Sequence, residues 1–294
     1  MKKTLILSLA ILFCLSLLNT TPCYSFELFK KTNKTEKEIR DFLNDYNKVL
    51  EKNDLVTLTR FYDKEYKNDD GYNLEELIVM LDKTSKAFDD IKYDTKIKRI
   101  DIRKNCAVVH LEDNTSAKIY PLKKHKNRSK VGILDGKSTS VMYLRKKDGM
   151  WQIVYDSVLS EETSLKYGVA KKVDMDLNTP ETIENGKDYG VKLEMKTPNR
   201  MIAIASLTNE EVNYPPEKYE EKFRRIPSEG ILERLVKAND KNKDEYAIAS
   251  IGFTKVSLNK KERRARIEIL GMAYLMKRVN MNNIEPVNEI LEKK

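Results

Sequence analysis

The apolar period of this chain changes near residue 92, and that change constrains its architecture more tightly than any single motif. Ahead of it, apolar residues recur three and four apart. Ile39, Phe42, Leu43, Tyr46, Val49 and Leu50 form one stripe, opened by a capping box at Thr35 and Glu38. Asp54 caps a short second helix carrying Leu55, Leu58, Phe61 and Tyr62, and the polar stretch Asp63 to Gly71 reads as a loop. Asn73 with Glu76 opens a third helix along Leu74, Leu77, Ile78, Leu81 and Phe88. Behind residue 92 the period is two. Residues 95–102, 105–112, 138–146 and 150–159 read as strands, the last two joined by the hairpin signal Asp148-Gly149. The long basic segment 113–137 extends the hairpin that precedes them.

Residues 160–187 form a polar connector containing Thr179-Pro180, and the domain boundary is placed there. Beyond it the period of two returns. Val191, Leu193 and Met195 alternate with Lys192, Glu194 and Lys196, while Ala265, Ile267 and Ile269 alternate with Arg264, Arg266 and Glu268. Each set predicts a strand with one buried and one wet face, as in an antiparallel sheet. Ala203-Ile204-Ala205-Ser206 and Ala247-Ile248-Ala249-Ser250 repeat a small-residue word that suits closely packed central strands. Residues 216–225 suggest a short helix, and 284–294 a final one. The expected fold is α+β: an N-terminal three-helix plus curved antiparallel sheet cone over about 33–160, a linker over 161–187, a mostly β sandwich-like domain over 188–283, and a short C-terminal helix or tail.

Residues 1–25 have the layout of a signal peptide. Lys2 and Lys3 precede the apolar run Leu5 to Leu18, and the small residues Cys23 and Ser25 suit cleavage after Ser25. The run is shorter than the ~20 residues of a spanning helix. The expectation is therefore export to the periplasm, envelope or extracellular space, with no transmembrane span after cleavage. Cleavage removes two of the three cysteines and leaves Cys106, so the mature chain has no internal disulfide to draw on. The formal net charge of +9 loses two lysines and stays basic. That charge suits anionic envelope polymers or lipid head groups without selecting one.

Three helices followed by a four-strand sheet, the Asp54 to Tyr62 helix leading into an acidic loop, and the ending Asp148-Gly149-Met150-Trp151-Gln152-Ile153 together resemble the nuclear transport factor 2-like superfamily, which includes the SnoaL-like proteins. The resemblance covers residues 33–160. It implies a cystatin-like cone with an apolar mouth, in a superfamily of isomerases, cyclases, dehydratases and proteins without known activity. It also implies that an acid–base group would point into the mouth. Four residues are the candidates for that pocket: Tyr62, Tyr143, Tyr155 and Asp156. Because Tyr155 and Asp156 are neighbours on one strand, they must face opposite sides.

The remaining constellations are negative. His110 shares a strand face with Glu112, away from the apolar face of Ala107, Val109 and Leu111, and Cys106 reads as a buried, inert thiol. Asp240-x-Asn242-x-Asp244 and the Asp63–Gly71 loop begin like calcium loops, but Glu245 replaces the needed glycine in the first. Ile251 and Leu77 stand where the closing Glu belongs, so both are read as solvated turns. His110, His125 and Cys106 assemble no zinc site. The basic run Lys123 to Lys130 has no interleaved aromatic residue, which disfavours nucleic acid, and it reads with Lys260-Lys261 and Arg263-Arg264 as solvated hairpin tips. No phosphate loop, nucleophile elbow or His-Glu-x-x-His is present. The sequence therefore favours a non-enzymatic ligand- or protein-binding module of the envelope, with no catalytic residue, metal or cofactor assigned. Its candidate partners are a small apolar ligand, an envelope protein, or a second copy through the outer sheet face. The alternative is a SnoaL-like isomerase or hydrolyase using Asp156 or Tyr143.

Overall fold

The computed structural model describes residues 23–120, 131–212, 221–259 and 264–281. The leader up to residue 22, the basic run 123–130 with His125, the start of the 216–225 segment, the basic residues 260–263 and the 284–294 tail lie outside the described residues. The chain divides into two units, residues 1–45 and 46–294. In the first unit, helix α1 (Cys23–Glu51, running on into the second) carries the surface pair Glu36–Arg40 at 2.7 Å, one turn apart. The helix starts at Cys23, so Thr35 and Glu38 lie inside it rather than capping it.

The second unit is mostly β. Asp54 caps α2 (Leu55–Leu58) by accepting from the Thr57 amide at 3.0 Å, and a 3-10 turn, Thr59–Phe61, follows. The stretch read as a loop is in part strand β1 (Tyr62–Asn68), so Tyr62 opens a strand instead of closing a helix. Helix α3 (Leu74–Ala87) has the expected capping box, with Asn73 and Glu76 each bonding the other's backbone amide. Then come the long strands β2 (Asp89–Arg103), β3 (Cys106–Ile119), β4 (Gly132–Lys147) and β5 (Met150–Gly168). Asp148 and Gly149 turn β4 into β5 with φ of 52° and 82°, the left-handed pair that a tight hairpin requires.

The segment 161–187 is not the polar connector its composition suggests. It holds the end of β5, a 3-10 turn (Val169–Lys172), β6 (Met175–Asn178) and β7 (Thr182–Ile183). Downstream lie β8 (Asp188–Met195), β9 (Ile202–Glu211), β10 (Arg224–Arg225), β11 (Ile231–Lys237), β12 (Glu245–Asn259) and β13 (Arg264–Met281). Arg224 and Arg225, expected in a helix, pair with Ala205 and Ile204 on a sheet edge.

One sheet runs β10-β9-β12-β13-β5-β4-β3-β2 and is antiparallel along that path. β1 adds to β5 in parallel, and β7 to β13. β5 is the shared spine: Tyr62, Lys67 and Asn68 pair near its start, and β13 pairs with its last third from Glu162 to Gly168. At Gly168 (φ 57°) a Cβ would stand 2.2 Å from the Leu270 carbonyl oxygen, so only glycine lets the two strands approach this closely.

A second sheet, β11-β8-β6, packs its apolar face on β9, β12 and β13. Leu177, Val191, Leu193 and Met195 meet Ala205, Ala249, Phe253 and Leu275 in one buried core. The two Ala-Ile-Ala-Ser words lie on adjacent strands with Ser206 opposite Ser250, and their alanines permit the close approach read from the sequence. The alternation does not give a buried face over 266–269. β13 pairs with β5 only from Gly271 onward, so Ile267 and Ile269 remain exposed.

Candidate functional site

The four sequence candidates divide by strand parity. A bulge at Val154 carries the face of Ile153 on to Asp156, whereas Tyr155 opposes Tyr143 across the ladder and shares its face. Tyr62 and Asp156 therefore belong to one side of the sheet, Tyr143 and Tyr155 to the other.

On the first side Asp156 accepts a 2.7 Å hydrogen bond from the Tyr66 hydroxyl. The Tyr66 ring stands edge-on to Tyr62 at 4.7 Å, and the Tyr62 and Tyr46 hydroxyls share a 2.8 Å bond. Tyr46 also meets Phe61 edge-on at 5.7 Å. Burial pushes the Asp156 carboxyl up to about 6, with Asp70 and Asp69 adding repulsion and the Tyr66 bond opposing. Burial also raises Tyr46, Tyr62 and Tyr66, which therefore remain neutral donors. Asp113 is a second inward carboxylate, bonded by Thr95 at 2.6 Å and by Ser140 at 3.4 Å, and raised by burial. The charges of both aspartates act on Tyr46.

On the second side Tyr155 donates to Asp69 at 2.6 Å, Ser157 donates to the other Asp69 oxygen at 2.8 Å, and Tyr143 packs edge-on to Tyr155 at 5.4 Å. Tyr143 also lines a cleft of about 970 Å³ on the face of β2–β4, with Arg99, Asp101, Cys106, Val108 and His110. Glu112 is not the partner of His110. It bonds Lys98, while His110 lies 3.7 Å from Asp101. Cys106 is half-exposed on this face rather than buried.

Tyr46, Tyr66, Asp69 and Asp113 are the site residues that the sequence reading missed. Tyr46 looked like helix stripe, and Tyr66 and Asp69 fell in a stretch read as loop. The signal available was the pair Tyr62 and Tyr66, four residues apart, whose rings pack edge-on while the second bonds the buried carboxylate.

The two acidic segments set aside as solvated turns meet on one cation. Arg278, buried on β13, reaches Asp70 and Asp244 at 2.5 Å each. Asp244 also accepts from the Met281 amide at 2.7 Å. Burial raises Asp70, with the Arg278 bond opposing. This triad fastens the segment after β1 to the β12–β13 pair. At the same end Glu245 is buried and accepts from Tyr189, Asn209 and, twice, Asn239. Among the described residues no group of three or more His, Cys, Asp or Glu is placed to hold a metal ion, and no helix is long and apolar enough to cross a membrane.

No family model matches the chain, and no curated protein matches it. Several solved structures are similar to part of it. Bd1075 from Bdellovibrio bacteriovorus shares 15% identity over 44% of this chain, at a TM-score of 0.36, and the match spans only 41% of that protein. A scytalone dehydratase-like protein from Novosphingobium aromaticivorans shares 18% over 44% of this chain and 86% of its own, at 0.36. A nuclear transport factor 2-like protein of unknown function from Pseudomonas putida shares 12% over 43% and 86%, at 0.31. The last of these carries the family name that residues 33–160 resemble.

Proposed function

We propose that the chain is an exported, non-enzymatic binding module of the cell envelope, with a cone over about 33–160 and a sandwich-like region over about 188–283 carried on a shared sheet. The observation that carries this reading is the mutual satisfaction of the inward polar groups. Tyr66 holds Asp156, Tyr46 holds Tyr62, and Thr95 with Ser140 hold Asp113. Rings 4.7–6.1 Å apart pack around them. A general base must reach a substrate proton within hydrogen-bond distance, and here that position is taken by a tyrosine of the same chain. Binding would then fall to the outer surfaces, where the β2–β4 cleft could take an envelope protein or a second copy.

One observation favours the isomerase or hydrolyase alternative: Asp156 is raised to about 6, a value suited to accepting a proton near neutrality. Tyr143 lies on the opposite face and cannot share its pocket. Titrating residues 26–294 with the dye 1-anilinonaphthalene-8-sulfonate separates the two readings. The module reading expects no saturable fluorescence gain. One-to-one binding that disappears in Tyr62→Trp would place an open apolar pocket beside Asp156 and restore the enzyme.

A further inference from the structure

The large sheet does not end where its neighbours end. β9 pairs with β12 only as far as Thr254, and β5 leaves β13 at Gly271. Beyond these points, among the described residues, 255–259 and 264–268 pair solely with one another, as a two-stranded ribbon that starts next to an extra residue at Leu270. Residues 255–257 and 266–269 are exposed on both faces of it. A lone two-stranded ribbon has too little burial of its own to be stable in water, so its extension calls for a function.

Its two faces differ. Register places Ile269 opposite Thr254 and Ile267 opposite Val256, and the offset brings Met272 onto the same face. Ile267 is 69% exposed, Ile269 67%, Val256 44% and Met272 37%, which makes a continuous apolar stripe. Lys255, Ser257, Arg266 and Glu268 occupy the other face. In sequence, the span 254–269 holds Lys255, Lys260, Lys261, Arg263, Arg264 and Arg266 against Glu262 and Glu268.

We propose that this ribbon is an interfacial anchor that lays its isoleucine stripe on an anionic lipid surface. β-Branched side chains enter the boundary between head groups and acyl chains, and clustered basic residues are drawn to negative head groups over roughly a Debye length, about 8–10 Å. A soluble anionic polymer would use the basic residues but not the isoleucines. A second copy would bring the same excess of positive charge against itself. The inference goes beyond the proposed module function and does not depend on how the interior is filled.

Co-sedimentation of residues 26–294 with vesicles tests it. The protein is expected to pellet with vesicles of about 30% phosphatidylglycerol in phosphatidylcholine and to stay in solution with phosphatidylcholine alone. The surface variants Ile267→Ser/Ile269→Ser and Lys255→Glu/Arg266→Glu should each lower partitioning at least tenfold, with thermal unfolding midpoints unchanged. Three results would overturn the proposal: no pelleting with the anionic vesicles, full pelleting of the isoleucine variant, or a dimer in light scattering that the isoleucine variant abolishes. If either variant unfolds, intrinsic tyrosine quenching by brominated lipid in the wild-type protein, contrasted with the single variant Ile269→Thr, decides by the same criteria.

Discussion

Replacing Asp156 by Asn removes one ionisable group while leaving the Tyr66 hydroxyl an oxygen to bond. Burial raises the Asp156 carboxyl from an ordinary 3.8 to about 6. Between those values the folded chain holds a proton that the unfolded chain releases, so rising pH withdraws stability through that window. Above pH 6 the full cost of burying the charge applies, on the order of 3 kcal/mol from the size of the shift. The variant never carries that charge. Asp156→Asn should therefore match the parent below about pH 4, gain progressively from 4 to 6, and exceed it by about 3 kcal/mol at pH 7–8. Urea unfolding of both proteins at pH 4, 5, 6, 7 and 8, analysed with a common m-value, measures the difference directly. A gap that does not vary with pH, or a variant less stable than the parent at pH 8, would refute the assignment of Asp156 as a destabilising buried charge. Tyr66→Phe supplies a second arm: losing the opposing hydrogen bond raises the carboxyl further, so the gain from Asp156→Asn should widen in that background.

Other positions give sharper single tests. Arg278→Met leaves Asp70 and Asp244 buried without their cation and should cost about 3–5 kcal/mol in urea unfolding, most of it recovered when both aspartates become Asn. Glu245→Gln turns an amide N–H₂ toward donors that now meet a carboxylate oxygen, and a loss of about 2–3 kcal/mol is expected. Gly168→Ala forces a Cβ into the Leu270 carbonyl at a positive φ, so a loss of at least about 2 kcal/mol should appear as a lowered melting midpoint. N-terminal sequencing of the mature protein should begin at Phe26, and a chain starting at Met1 would remove the export proposal.

What the sequence disclosed was local. The Asn73–Glu76 capping box, the Asp54 cap, the Asp148-Gly149 turn and the small-residue words on β9 and β12 all depend on contacts within a few residues or on side-chain size. The parity argument at Tyr155 and Asp156 held even through a bulge. What it concealed was non-local. β1 has only Tyr62 and Tyr66 buried, four residues apart, which mimics a helix period; its strand form is set by parallel pairing with β5 some ninety residues away. The end of β5 carries polar side chains yet pairs with β4 on one edge and β13 on the other, so its composition imitates a connector while its backbone lies inside the sheet. Arg278 finds Asp70 across about two hundred residues, a distance at which no spacing rule operates.

The placement of β5 also sets a timetable. Its 19 residues are made early, yet the strand that completes its far end is β13, which begins pairing at Gly271 opposite Gly168. At roughly 5–20 residues per second, the edge of β5 stands open for on the order of 5–20 s while the intervening hundred or so residues are synthesised. An open edge of that length is a template for any other strand that passes. A chain that stops or is cut before residue 271 would keep this edge permanently, and its fate would be aggregation rather than a smaller working protein. Until β13 arrives, the cell must keep that one strand from finding the wrong neighbour.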